Sequence, residues 1–238
     1  MTARQPIKKR RFRRWWPLYA VIAILATGAV TYLLLFTPLS VAELSLDDTS
    51  ASVPIDADDL SGEWAPGDGS VAGYRVREQL AMLPAPSDAV GRTSEVTGTV
   101  EIDDDGSSIA ALAGSVIEVD LTTLESDESR RDGRIRTSGL ETDTYPTATF
   151  ELTDDIAVPE AIRDGSTVNA DAQGDLTLHG VTRSVTIPLQ IRLSGDSVEI
   201  VGSQVITLRD YEIDVSAFGG FVSVEDEGTI EFELSLMR

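Results

Sequence analysis

The stretch from Asp175 to Leu193, DLTLHGVTRSVTIPLQIRL, constrains the fold of this chain more than any other. Leu176 and Leu178 alternate with polar neighbours, and Val185, Ile187, Leu189, Ile191 and Leu193 then alternate without a break. A period of two over this length specifies strand, because successive side chains of an extended backbone point to opposite faces. Between the two runs lies a turn, His179-Gly180-Val181-Thr182, and Gly180 can take a positive φ at little steric cost. An antiparallel hairpin with one apolar face is therefore expected. That face requires a partner.

The partners are supplied by the same period elsewhere. Strands are predicted over Val71–Glu78, with Tyr74 and Val76 in phase, and over a second hairpin. In that hairpin Val96, Gly98, Val100 and Ile102 turn at Asp103–Gly106 into Ile109–Val119. Ala148, Phe150 and Leu152 form the next, Val168–Leu178 the fifth, and the organising hairpin supplies the sixth. Val198–Leu208 and Gly228–Leu236 complete a set of eight. Gln79–Gly91, with Pro84 and Pro86, reads as irregular, and the charged segment Leu121–Pro146 as an insertion with a helix around Glu128–Thr137. Eight one-faced strands joined by short polar turns are satisfied most economically by an all-β, eight-stranded antiparallel barrel with one helical insertion, which also removes exposed strand edges.

The amino-terminal quarter is built differently. Residues 1–15 form a basic tail holding Arg4, Lys8, Lys9, Arg10, Arg11, Arg13 and Arg14. Residues 16–36 then run uncharged from Trp16 to Phe36, long enough for a transmembrane helix at 1.5 Å per residue across a hydrocarbon core of about 30 Å. The basic cluster places the amino terminus in the cytoplasm and everything beyond Pro38 outside the cell membrane, so a single-pass anchored protein is expected. Ser40-Val41-Ala42 offers the alternative of secretion after cleavage near Ala42. Residues 37–62, rich in Ser, Asp, Pro and Ala, read as an acidic flexible linker to a domain spanning 63–238, with Trp64 at its start.

Charge and composition exclude several chemistries. Without its basic tail the chain carries 12 basic residues against 40 acidic ones, which argues against a nucleic-acid partner. The absence of cysteine rules out disulfides, thiolate metal sites, a cysteine nucleophile and a lipoprotein anchor. His179 is the sole histidine, so a usual zinc site or Cys-His pair has no ligands, and no metal or cofactor is expected. Asp103–Asp105 lack the later ligands of a calcium loop and read as a turn. A hydrolase using two carboxylates remains a rival reading, but forty acidic residues make chance pairs inevitable.

Several motifs resemble the YceI-like, polyisoprenoid-binding family, a lipocalin-like group. Gly73-Tyr74-Arg75-Val76 is similar to its first strand, and Gly91-Arg92-Thr93 through Val96-Thr97-Gly98 to its second. Asp132, Tyr145-Pro146 and Thr149-Phe150 resemble its helix and following strand. Gly174-Asp175-Leu176-Thr177-Leu178-His179-Gly180-Val181-Thr182 resembles its most specific motif, and Val224-Glu225-Asp226 and Phe232 its end. Leu140 departs from the pattern where an aromatic residue is common, and the anchored acidic amino-terminal half is an addition. The resemblance implies an exported, non-enzymatic barrel that sequesters a long isoprenoid or quinone-like lipid, with no catalytic residue to carry over.

A barrel of eight strands is either filled by its side chains, leaving a surface interaction module, or holds one small apolar ligand. Small inward residues, Ala111, Ala113, Ala172, Gly98, Gly174 and Gly202, favour retained volume. The candidate lining is Tyr74, Val76, Val100, Ile117, Phe150, Leu152, Leu176, Leu178, Ile187, Leu189, Ile206, Phe232 and Leu234. Arg130, Arg131, Arg134 and Arg136 form a basic island suited to an anionic headgroup, with His179 as a further candidate contact beside its structural role at a turn. The pattern specifies no oligomeric state.

Overall fold

Alternation of inward and outward side chains builds twelve strands in the computed structural model, which describes residues 19, 23, 25–27, 41–46, 60–80, 86–104, 109–214 and 222–238. They are β1 (Gly62–Pro66), β2 (Val71–Leu80), β3 (Ser87–Thr93), β4 (Val96–Asp104), β5 (Ile109–Ala111) and β6 (Val116–Asp120). The series continues with β7 (Thr147–Leu152), β8 (Ile156–Val158), β9 (Val168–Leu178), β10 (Val181–Ser194), β11 (Ser197–Thr207) and β12 (Val222–Met237). Every pairing among them is antiparallel.

Eight of these strands close a ring. The order β4-β6-β7-β9-β10-β11-β12 returns to its start through β1, which pairs Ala65 with Met237 of β12 on one edge and Trp64 with Val100 of β4 on the other. Trp64 anchors this closure: it is buried, its indole Nε1 donates to the Leu60 carbonyl at 3.0 Å, and the Arg238 guanidinium lies 4.9 Å from its ring centre. The β2–β3 hairpin extends the wall from the remainder of β12. The segment Leu121–Leu140 joins this hairpin to β7, through a two-way backbone pair between Arg92 and Glu125 and a bond from Leu121 N to the Pro146 carbonyl.

The organising hairpin forms with Leu178 opposite Val181, so its turn is only His179-Gly180. Both residues have positive φ, 52° and 75°. His179 is held there by its own side chain: Nδ1 lies 3.1 Å from the Tyr211 carbonyl and the imidazole packs against the Tyr145 ring at 4.5 Å.

The expected set of eight strands is corrected in three places. β1 and β8 are too short to show a period. β3 falls in the stretch predicted to be irregular, because Ala89, Val90 and Gly91 are buried consecutively and hide the alternation. The strand predicted over Ile109–Val119 is two, β5 and β6, separated by a turn at Ala113-Gly114 that lets β4 pair with each in succession. The predicted helix is Ser129–Arg134, capped by the Glu128 carboxylate on Arg130 N and extended by a wider turn to Gly139.

The chain divides into two units, Met1–Ser40 and Val41–Arg238. In the first, Tyr19, Ala23 and residues 25–27 are helical, and the rest of the proposed membrane segment 16–36 lies outside the described residues. Among the described residues no helix is long and apolar enough to cross a membrane. Of the predicted linker 37–62, residues 37–40 and 47–59 also lie outside them. Residues 41–46 of that linker are not free in the second unit. The Val41 carbonyl accepts from Arg75 at 3.0 Å, the Ala42 carbonyl accepts from Arg92 at 2.7 Å, and Leu46 is buried. Both arginines are in turn fixed by Glu231, which is 3% exposed.

Candidate functional site

Two apolar clusters are stacked along the barrel. The first contains Trp64, Val100, Ile102, Leu152, Leu189 and Leu236, and the second Leu121, Leu124, Leu176, Leu178, Ile206 and Leu208. Within the second is a cavity of about 420 Å³, and within the first a smaller void of about 90 Å³. The larger lies in the size range of small-molecule sites. Its wall is almost wholly aliphatic and aromatic, and exposed Glu128, Arg130 and Arg134 mark its mouth.

Of the lining residues predicted from sequence, all but Val100, Leu152 and Leu189 stand on this wall. Those three line the smaller void instead, where Val100 lies opposite Trp64 of β1. Ala72, Ala89, Leu121, Leu124, Ile135, Leu140, Ile213 and Ile230 also line the cavity and were absent from the prediction. Ile230 is in phase with Phe232 and was legible on that ground. Most of the others come from β3 or from irregular segments, where no period marks an inward residue.

The wall carries three carboxylates, each already engaged. Glu78 pairs with Arg131 at 2.7 Å, Glu231 with Arg92 at 2.7 Å and Arg75 at 3.3 Å, and Glu128 caps the helix. None of these three wall carboxylates is free to form a convergent acid-base pair. Burial works against the Arg131 cation, but hydrogen bonds to Glu78 and Asp127 outweigh it and hold its pKa above the ordinary value. Burial likewise pushes the Tyr74 phenol up, reinforced by Asp132, Glu78 and Asp127 and opposed by Arg131, so the ring presents a neutral hydroxyl at physiological pH.

The basic island is therefore divided. Arg131 is committed to Glu78 and Asp127, and Arg136 reaches the Leu124 carbonyl at 3.5 Å. Arg130 and Arg134 line the mouth and, among the described residues, have no ion-pair partner. His179, a candidate headgroup contact by sequence, is off the cavity wall: Nδ1 is taken by Tyr211, while Nε2 lies 3.4 Å from Glu141 without hydrogen-bond geometry. Its place in the tight turn aims the ring at Tyr145 and Tyr211.

A closed eight-stranded antiparallel barrel with an apolar chamber opening beneath one helix places the chain among the small antiparallel barrels that can enclose one apolar ligand. Residues 64–236 match the YceI-like domain, and the chain belongs to that family. A UPF0312 protein of Vibrio parahaemolyticus is 30% identical over 142 residues, 57% of this chain and 70% of the relative; a Vibrio vulnificus relative matches to the same extent. A polyisoprenoid-binding domain of Saccharophagus degradans shares the fold with a TM-score of 0.55 at 17% identity, covering 74% of this chain and 98% of that one.

Proposed function

We propose that this protein is an exported, membrane-anchored carrier or store for a long-chain isoprenoid or quinone-like lipid, held with its chain in the barrel cavity. The observation that carries this reading is the apolar chamber of about 420 Å³ within a closed barrel. Burying about 400 Å² of hydrocarbon contributes roughly 10 kcal/mol at 25 cal/mol per Å², from which the cost of immobilising the chain is subtracted. The remainder supports useful affinity. The family and the Saccharophagus domain's stated ligand class support the choice of an isoprenoid. The test is organic extraction of the purified full chain followed by mass spectrometry, together with added isoprenoids. A co-purifying prenyl lipid or a raised melting temperature is expected, and repeated empty preparations with no shift would reject the reading.

Arg130 and Arg134 favour a ligand with an anionic headgroup, because two uncommitted cations stand where a chain would emerge. Changing both to Glu is expected to weaken binding of a prenyl phosphate roughly tenfold while leaving a prenyl alcohol of the same length unaffected. Titrating both ligands into both proteins checks this, and equal losses would remove the headgroup assignment.

A retained anchor over residues 16–36 with a cytoplasmic amino terminus is favoured over release after Ala42. Cleavage there would remove the Val41 and Ala42 carbonyls on which Arg75 and Arg92 close. Protease added to intact cells is expected to digest the barrel domain, and protection would contradict the topology.

A further inference from the structure

The cavity and the smaller void are separated by side chains that face both: Ile117, Phe150, Phe232 and Leu234. Phe150 packs against both apolar clusters, which places its ring at their boundary. Each phenylalanine lies over a glycine of a neighbouring strand. Phe232 of β12 is directly opposite Gly202 of β11, and a Cβ on Gly202 would stand 2.5 Å from the Phe232 ring. Phe150 of β7 leans across Gly174 of β9, where a Cβ would meet its ring edge. The missing Cβ atoms give both rings a flat seat on the barrel wall.

We propose that Phe150 and Phe232 form the floor of the lipid cavity and set the length of chain this protein accepts, with Gly174 and Gly202 holding the rings in place. This rests on the lipid-binding reading above. An isoprenoid entering beneath the helix extends until its terminal methyl groups meet the two rings. Further units would have to reach the smaller void, and the rings stand between.

The two kinds of variant act in opposite directions. Phe150→Ala or Phe232→Ala joins the chambers and admits additional isoprene units, each enriching the longer chain roughly tenfold. In Gly202→Ala the atoms nearest the new methyl belong to the Phe232 ring and the Leu189 side chain, so the ring is displaced into the chamber and the accepted chain shortens. To measure this, the full chain in phosphatidylcholine nanodiscs is equilibrated with an equimolar series of prenyl alcohols from geraniol to solanesol. Bound alcohols are then extracted and quantified by mass spectrometry against empty nanodiscs.

The wild type is expected to show a sharp upper limit of length, the two phenylalanine variants a raised limit, and Gly202→Ala a lowered one. Folded variants with the wild-type profile would overturn the floor while leaving lipid binding intact. A wild type that retains no prenyl alcohol would overturn both. If neither phenylalanine variant folds, Gly202→Ala, which keeps every aromatic residue, decides by its shift toward shorter chains.

Discussion

Replacing Ala148 by Trp is expected to abolish lipid uptake, by at least about a hundredfold, while the barrel stays folded. Ala148 lies on β7, two residues from Phe150 and on the same inward face, and it lines the cavity. An indole there projects into a chamber of about 420 Å³ instead of into packed side chains. The ordinary penalty for enlarging a core residue, about 1–3 kcal/mol, arises from strained neighbours and is largely avoided where free volume receives the new atoms. The hydrocarbon surface that a ligand would cover is meanwhile covered by the protein itself. Prenyl alcohol binding and a thermal melt on the same preparation separate the two effects. Retained binding with a folded variant would place the lipid outside the barrel.

Replacing Gly98 by Ala is expected to destabilise the domain by about 3–5 kcal/mol, lowering its melting temperature by about 10 °C. Gly98 lies in β4 opposite Ile117 of β6 with φ of 137°, a region closed to residues bearing a side chain. A Cβ there would also overlap the Val116 carbonyl oxygen and stand 2.9 Å from the Ile117 Cα, backbone atoms that cannot rotate away. The two costs can be separated. Gly114 also has a positive φ, 91°, but nothing lies within 4 Å of a Cβ placed on it. Gly114→Ala is expected to cost only about 1–2 kcal/mol, the conformational part alone. Urea unfolding of the two variants measures the difference, and equal losses would show that the β4–β6 contact yields.

Where every second residue is apolar, local sequence was enough. The β9–β10 hairpin follows from Leu176, Leu178, Val185, Ile187, Leu189, Ile191 and Leu193. The small residues Gly174 and Gly202, expected to leave volume, are instead covered by the rings of Phe150 and Phe232. The reading failed where both faces of a strand are covered, as at Ala89-Val90-Gly91 in β3. It also failed where a residue's role depends on a distant one. By sequence Arg131 belongs with Arg130 and Arg134 in a single basic island, yet Glu78, 53 positions earlier, takes it out of that set. His179 carries the chemistry most often sought in a site, but the turn that places it makes Tyr211 and Tyr145 its partners.

By itself the sequence determined that the strands are one-faced and antiparallel, because the period of two and the turn residues act over a few neighbours. It also determined which faces turn inward. Only the tertiary structure decided how the ring closes, since β1 has too few residues to announce itself and joins β12 to β4 across the whole chain. The division of the interior into a large chamber and a small void was likewise decided there. Where a phenylalanine ring comes to rest depends on the glycine facing it from another strand, and that pairing exists only once the barrel has closed.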